Sequence, residues 1–198
     1  MNRVADPPTL PESGAEPTLA SSGSLRAHAC AALAALIPEH GADAVRVPEL
    51  QRFVEQFPGD APFDPGVWGN GLASALRHPE AGDRALVGLA VEMGLTPLEV
   101  MAVTLAAAVE DDPFLGRVMA RLQAPLGGTR PTLGLLACAF APVVDSATSP
   151  LRSLVTGRAV ACGLLEVQGE DRPLAERTLA VPVPLCLALG GQESLWPG

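Results

Sequence analysis

A mainly α chain that closes on one β-hairpin is the fold class this sequence predicts, and three observations carry the prediction. Apolar residues recur at helical spacing from Leu25 onward. Capping residues stand where those segments begin, at Asp64-Pro65, Thr96-Pro97 and Asp112-Pro113. Near the end the pattern becomes alternation, with Leu165 and Val167 before the charged stretch Glu170-Asp171-Arg172 and Leu179 and Val181 after it.

Residues 1–23 are rich in Pro, Ser, Gly and Glu and hold almost no large apolar side chain, so they are expected to form a disordered leader. Residues 24–94 are expected to form a helical subdomain. Leu25, Ala29, Ala32, Leu33 and Leu36 share one face of a helix that stops near Pro38, and a short helix of about 49–57 follows Pro48. After the breakers Pro58-Gly59-Asp60-Ala61-Pro62, Asp64 and Pro65 start a helix to about Leu76 with Trp68 and Leu72 inward. Leu86, Leu89, Ala90 and Met93 mark the next helix after Pro79, and Gly94 closes it.

Residues 95–191 form the second expected unit. In Thr96-Pro97-Leu98-Glu99, Thr96 can cap the free amides and Glu99 can reach back to the Thr96 amide. The helix so opened places Leu98, Met101, Ala102, Leu105 and Val109 on one side. Asp112 caps a following helix to about Leu122 that is expected to bury Phe114, Leu115, Val118, Met119 and Leu122. A Pro/Gly loop at 124–129 leads to a helix of 133–140, apolar all round and therefore expected to be buried. Ser149-Pro150 starts a short helix ended by Gly157, the hairpin follows, and Pro182 to Leu189 is a last apolar helix or turn. Several helices and then one hairpin is the layout of a winged-helix-like domain. Residues 192–198 are expected to be the start of a linker, and the chain a fragment of something longer.

The chain of 198 residues is 48% apolar but only 4% aromatic, with 20 Gly and 20 Pro, so small side chains must build most of its core. Its 22 acidic against 13 basic residues give a net charge of -9, which repels polyanions at long range. All 13 basic residues are Arg. The absence of Lys excludes Schiff-base chemistry and the usual phosphate-binding loop, whose Lys reaches the β/γ-phosphates. Cys30, Cys138, Cys162 and Cys186 are widely spaced in apolar contexts and are expected to be buried, reduced thiols. No apolar leader and no run long enough to span a membrane is present, so the expectation is a cytoplasmic protein.

No residue pattern here points to catalysis, a cofactor or a metal. His28, His40 and His78 stand alone, and Glu110-Asp111-Asp112 at a helix junction is better explained by dipole compensation and capping than by acid–base work. The candidate interaction surface is Arg152 on the last helix before the hairpin, Arg158 just beyond that helix, and Glu170, Asp171, Arg172 and Glu176 on the hairpin loop. Arg117 and Arg121, with Arg130 near them in sequence, form a weaker candidate as an anion-binding strip or a donor to a neighbouring nucleotide site. Solvated pairing with Glu110 or Asp112 is the simpler account of them.

The order Leu95-Thr96-Pro97-Leu98-Glu99, Asp112-Pro113-Phe114-Leu115-Gly116-Arg117, Leu122-Gln123 and Arg130-Pro131-Thr132-Leu133-Gly134-Leu135-Leu136 continues with Pro150-Leu151, Gly163-Leu164-Leu165, Pro173-Leu174 and Leu185 to Gly190. It resembles the region ahead of the ATPase module in a group of bacterial AAA+ ATPases, some of them encoded with extracellular contractile injection systems. The resemblance covers roughly residues 84 to 192. It implies a helical segment leading into a winged helix, ATP binding and hydrolysis by the parent protein, and possible oligomerisation through that parent. The Walker motifs that do the chemistry have no counterpart here, so no active-site residue carries over.

The expected function is thus a non-catalytic interaction or adaptor region, docking a protein partner or the adjoining AAA+ module. A hairpin that only covers its own core accounts for the same residues equally well. A winged-helix DNA-binding regulator is the alternative, and Glu170, Asp171 and Glu176 around Arg172 oppose it, because phosphate contacts depend on cationic neutralisation.

Overall fold

The structure, a computed structural model, describes residues 23–37, 47–57 and 63–189. All but the last residue of the expected leader, the breaker cluster at 58–62, His40 and the expected linker at 192–198 lie outside the described residues. Within them the chain is mainly helical, with a two-stranded antiparallel sheet.

In the first half the helices beginning at Leu25 and Pro65 start at side-chain caps, while those beginning at Pro48 and Arg84 do not. α1 (Leu25–Leu36) is capped by the Ser24 hydroxyl, which accepts from the Ala27 amide at 3.2 Å. α2 (Pro48–Gln56) is short and buries Leu50 and Phe53. Asp64 Oδ1 accepts from the Gly66 and Val67 amides at 2.7 and 3.1 Å and opens α3 (Pro65–Arg77). A 3-10 turn, Ala81–Asp83, leads into α4 (Arg84–Met93), which stops at Gly94 in the left-handed conformation, φ 64°. Trp68 ties these helices to the rest: its Nε1 donates to the His28 carbonyl at 3.0 Å, and its ring stacks on Phe140 with centroids 6.5 Å apart.

The second half is organised around α5 (Pro97–Asp111), which opens with the expected capping box. Its surroundings differ from the expectation of one apolar side. From Leu98 to Val109 only Ala107 is not fully buried, because no charged residue interrupts the helix between Glu99 and Glu110 and its alanines let neighbours approach closely. The one hydroxyl in that run, on Thr104, donates to the Val100 carbonyl at 2.8 Å. The all-round burial expected of α7 (Leu133–Ala139) is correspondingly incomplete, since Cys138 is exposed. α1, α6 (Pro113–Leu122), α8 (Pro150–Thr156), α9 (Arg158–Ala161) and the sheet all pack against α5. The buried apolar residues form one continuous cluster from Leu25 to Cys186, so residues 24–94 and 95–191 meet in a shared core.

The hairpin is shorter than its alternation suggests. β1 (Glu166–Gln168) pairs with β2 (Thr178–Ala180) in the register Glu166↔Ala180, Val167↔Leu179, Gln168↔Thr178. On the far side of β2, Thr132 bridges Thr178, the Leu133 amide donates to the Arg177 carbonyl at 2.8 Å, and the Leu179 amide donates to the Pro131 carbonyl at 2.9 Å. The chain before α7 thus lies along the outer edge of β2 through one isolated bridge. The single turn of α9 was not legible either. It follows Gly157, which ends α8 as expected. α10 (Val183–Leu189) buries Cys186 and exposes Val183 and Leu187.

The cysteine expectation needs correction. All four thiols are free, but only Cys30 and Cys186 are buried, while Cys138 and Cys162 are exposed. Burial pushes the Cys30 thiol up to about 11, partly opposed by the neighbouring Arg26 guanidinium. Among the described residues no helix is long and apolar enough to cross a membrane.

Candidate functional site at the hairpin

Gln123, which directly follows α6, shapes the ground beneath the hairpin. Its side chain is buried, donates through Nε2 to the Gly128 and Arg130 carbonyls at 3.1 and 3.0 Å, and accepts at Oε1 from the Thr132 amide. One side-chain amide so ties the far end of the Pro/Gly loop back to its start and presents Thr132 to β2. Gln123→Ala strands the buried Thr132 amide, at a cost of about 2 kcal/mol. The expected result is a thermal midpoint lower by roughly 4–8 °C, read by far-UV circular dichroism; a change within error would show that the loop is held by other contacts.

The loop delivers Arg130 to the hairpin. Its Nε donates to Glu110 Oε1 at 2.8 Å and its Nη1 to Gln168 Oε1 at 2.7 Å, so the end of α5 and the last residue of β1 are joined through one guanidinium. Across from it the hairpin loop is held closed by Arg177, whose Nε donates to the Arg172 carbonyl at 3.2 Å and whose Nη2 donates to the Glu170 carbonyl at 3.0 Å. Gly169, at φ 86°, makes the turn that starts this loop. The loop then bends back onto α7 through the 3-10 turn Leu174–Glu176. There Gly134 lies so close that a Cβ on it would stand 3.0 Å from the Ala175 carbonyl oxygen.

Between the two loops lies a cleft of about 560 Å³, open to solvent, whose charged walls are Glu110, Arg130, Asp171, Arg172 and Glu176. Arg130 and Glu110 neutralise each other. Asp171, Arg172 and Glu176 form no ion pair among the described residues. The cleft therefore presents two free carboxylates and one free guanidinium beside backbone polar groups of Gly128 and Gly169, a surface that matches a polypeptide better than a polyanion.

The nine sequence candidates separate accordingly. Arg130, Asp171, Arg172 and Glu176 converge on the cleft. Glu170 stands at the exposed loop tip, outside the walls. Arg152 is exposed on α8, whereas Arg158 lies over Gly94 and donates through Nη1 to the Met93 carbonyl at 3.3 Å, placing its charge at the C-terminus of α4. Arg117 and Arg121 are on α6, away from Arg130. Their partners are not the expected Glu110 and Asp112: Arg121 pairs with Glu49 of α2 at 3.5 Å, and Arg117 lies over the Phe114 ring at 5.9 Å. Glu110 is taken by Arg130 and Asp112 by Arg26, while Asp112 Oδ1 caps α6.

No family model, curated protein or solved structure matches the chain. Among the described residues no group of three or more His, Cys, Asp and Glu side chains is placed to hold a metal ion. Gln123, Gln168, Arg177 and Thr178 were not singled out in sequence. Their one signal was a polar residue flanking each strand or loop end, and most polar residues so placed are solvated.

Proposed function

We propose that this chain is a non-catalytic adaptor built on a winged-helix plan, and that its hairpin cleft docks a segment of a protein partner, with the module of an AAA+ ATPase as the first candidate. The element order supports the winged-helix plan: α7, α8, α9 and then the hairpin, with the chain at Thr132 added to the outer edge of β2. The ATPase connection rests on the short sequence resemblance alone. Its implication of a bacterial, cytoplasmic setting suits four unpaired thiols, which fit a reducing compartment.

The observation that carries the reading is the trio Asp171, Arg172 and Glu176, which form no ion pair among the described residues, over a cleft in which Arg130 is tied to Glu110 and Gln168. The same features weigh against the DNA-binding alternative. α8 offers Arg152 as its one exposed cation, Arg158 is engaged by α4, and two carboxylates face the same space as Arg172.

The test is calorimetric titration of the whole chain with an ATPase module from the AAA+ group it resembles, using the wild type and the variant Asp171→Ala/Arg172→Ala/Glu176→Ala. The expected result is binding that weakens about a hundredfold in the variant, roughly 1 kcal/mol for each charged contact, with an unchanged melting temperature. Equal affinities would remove the cleft from the interface. Absence of binding together with a low-salt electrophoretic shift of duplex DNA would favour the regulator.

A further inference from the structure

A second surface, on different elements, carries charge that no ion pair among the described residues compensates. On α6, Phe114, Arg117 and Arg121 follow one another at helical spacing, and α2 packs alongside. The Phe114 ring is bracketed by two guanidiniums, with Arg52 Cζ at 5.2 Å and Arg117 Cζ at 5.9 Å from its centroid. Neither arginine has a carboxylate partner: the ion pairs among the described residues are Arg26–Asp112, Arg121–Glu49 and Arg130–Glu110. Two like charges converging on one ring repel each other, and at an exposed site the ring returns little to either.

Glu49 shows what an anion does there. It bonds Arg121, and its carboxyl is held below the ordinary range by a backbone hydrogen bond and then by the fields of Arg121 and Arg117. The one other carboxylate on α2, Glu55, is turned to the Gln51 side chain. Among the described residues three guanidiniums thus face one carboxylate, on a protein whose net charge is -9.

We propose that the α2/α6 face, through Arg52 and Arg117 with Arg121 beside them, is a docking site for an acidic peptide segment of a partner protein. Guanidinium forks match carboxylates in pairs, and the half-buried Phe114 ring gives the apolar floor that a peptide side chain needs. A short peptide brings its carboxylates to the patch alone. A nucleic acid carries phosphates past the patch and meets the repulsion of the remaining surface. None of the cleft residues belongs to α2 or α6, so this site stands apart from the hairpin and from the function proposed for it.

The experiment uses the full chain and a fluorescein-labelled hexaglutamate peptide, followed by anisotropy at low salt. Hexaglutamate is expected to bind and hexaglutamine not to. Arg52→Gln/Arg117→Gln should weaken binding about tenfold or more, the worth of one bidentate contact. Glu49→Gln, which releases Arg121, should tighten it. Arg52→Lys/Arg117→Lys keeps the charge and removes the fork, so a clear loss there supports the site even where the glutamine variant fails to fold. Affinity indifferent to these substitutions, or equal binding of hexaglutamine, overturns the proposal. So does an oligothymidylate of equal charge that binds more tightly with the same arginine dependence, because the face would then read phosphate.

Discussion

Glu99→Ala is expected to lower the thermal midpoint by roughly 6–12 °C, from a loss of about 3 kcal/mol spread over its hydrogen bonds. Glu99 is 2% exposed and forms no ion pair among the described residues. Its Oε2 accepts from the Thr96 amide and hydroxyl, both at 2.8 Å, and its Oε1 accepts from the Ala159 amide at 2.8 Å. The carboxylate thus sits between the N-termini of α5 and α9, where both helix dipoles present their positive ends. Removing it leaves the Ala159 amide buried and unpaired and opens the capping box at once. Glu99→Gln keeps the shape but turns an NH₂ toward donors, so most of the loss should remain. Gly157 belongs to the same joint, since any Cβ there would overlap Glu99 Oε1 and the Ser153 carbonyl. Calorimetric melting reads the stability, and hydrogen exchange at the Ala159 amide reads the mechanism. A midpoint within a degree or two of wild type, or an Ala159 amide as protected as before, would show that α9 does not depend on this carboxylate.

Trp68→Ala should cost about 3–5 kcal/mol, the usual range for emptying a buried tryptophan site. Three contacts are lost together. The ring stacks nearly parallel on Phe140, at an interplanar angle of 4°, meets Phe63 with centroids 6.0 Å apart, and holds the α1 backbone through the His28 carbonyl. With aromatics at 4% of the chain, few neighbours are large enough to collapse into the space. The urea midpoint should fall with the slope unchanged. Trp68→Phe, which keeps a ring and loses the hydrogen bond, should fall much less. Equal losses for the two variants would mean that the bond to His28, and not the stacked ring, carries the effect.

What the sequence made legible is what neighbouring residues decide. Asp64-Pro65, Thr96 to Glu99 and Asp112-Pro113 each cap the helix they precede because cap and amide are within three residues of each other. Val167 and Leu179 face each other because alternation sets strand faces. What stayed hidden depends on partners far along the chain. Nothing near Glu99 announces that its second oxygen belongs to Ala159, and nothing near Thr132 announces the bridge to Thr178. The burial of α5 on nearly every side was missed because Ala and Thr weaken the apparent apolar stripe while still packing inside. At the hairpin, Asp171, Arg172 and Glu176 were visible as charges. Arg130 looked like a neighbour of Arg117 and Arg121 only because the turn anchored by Gln123 cannot be seen in a linear pattern.

The close approach of Gly134 to Ala175 has a consequence for how this architecture can vary. Ala175 is followed by Glu176, a wall of the cleft, and the 3-10 turn that carries both rests directly on α7. A hydrogen at position 134 lets the turn lie flat, and each larger group would jack it away from the helix, taking the Glu176 carboxylate with it. Position 134 is in effect a spacer, and a larger residue there would present the same charges across a mouth of different shape.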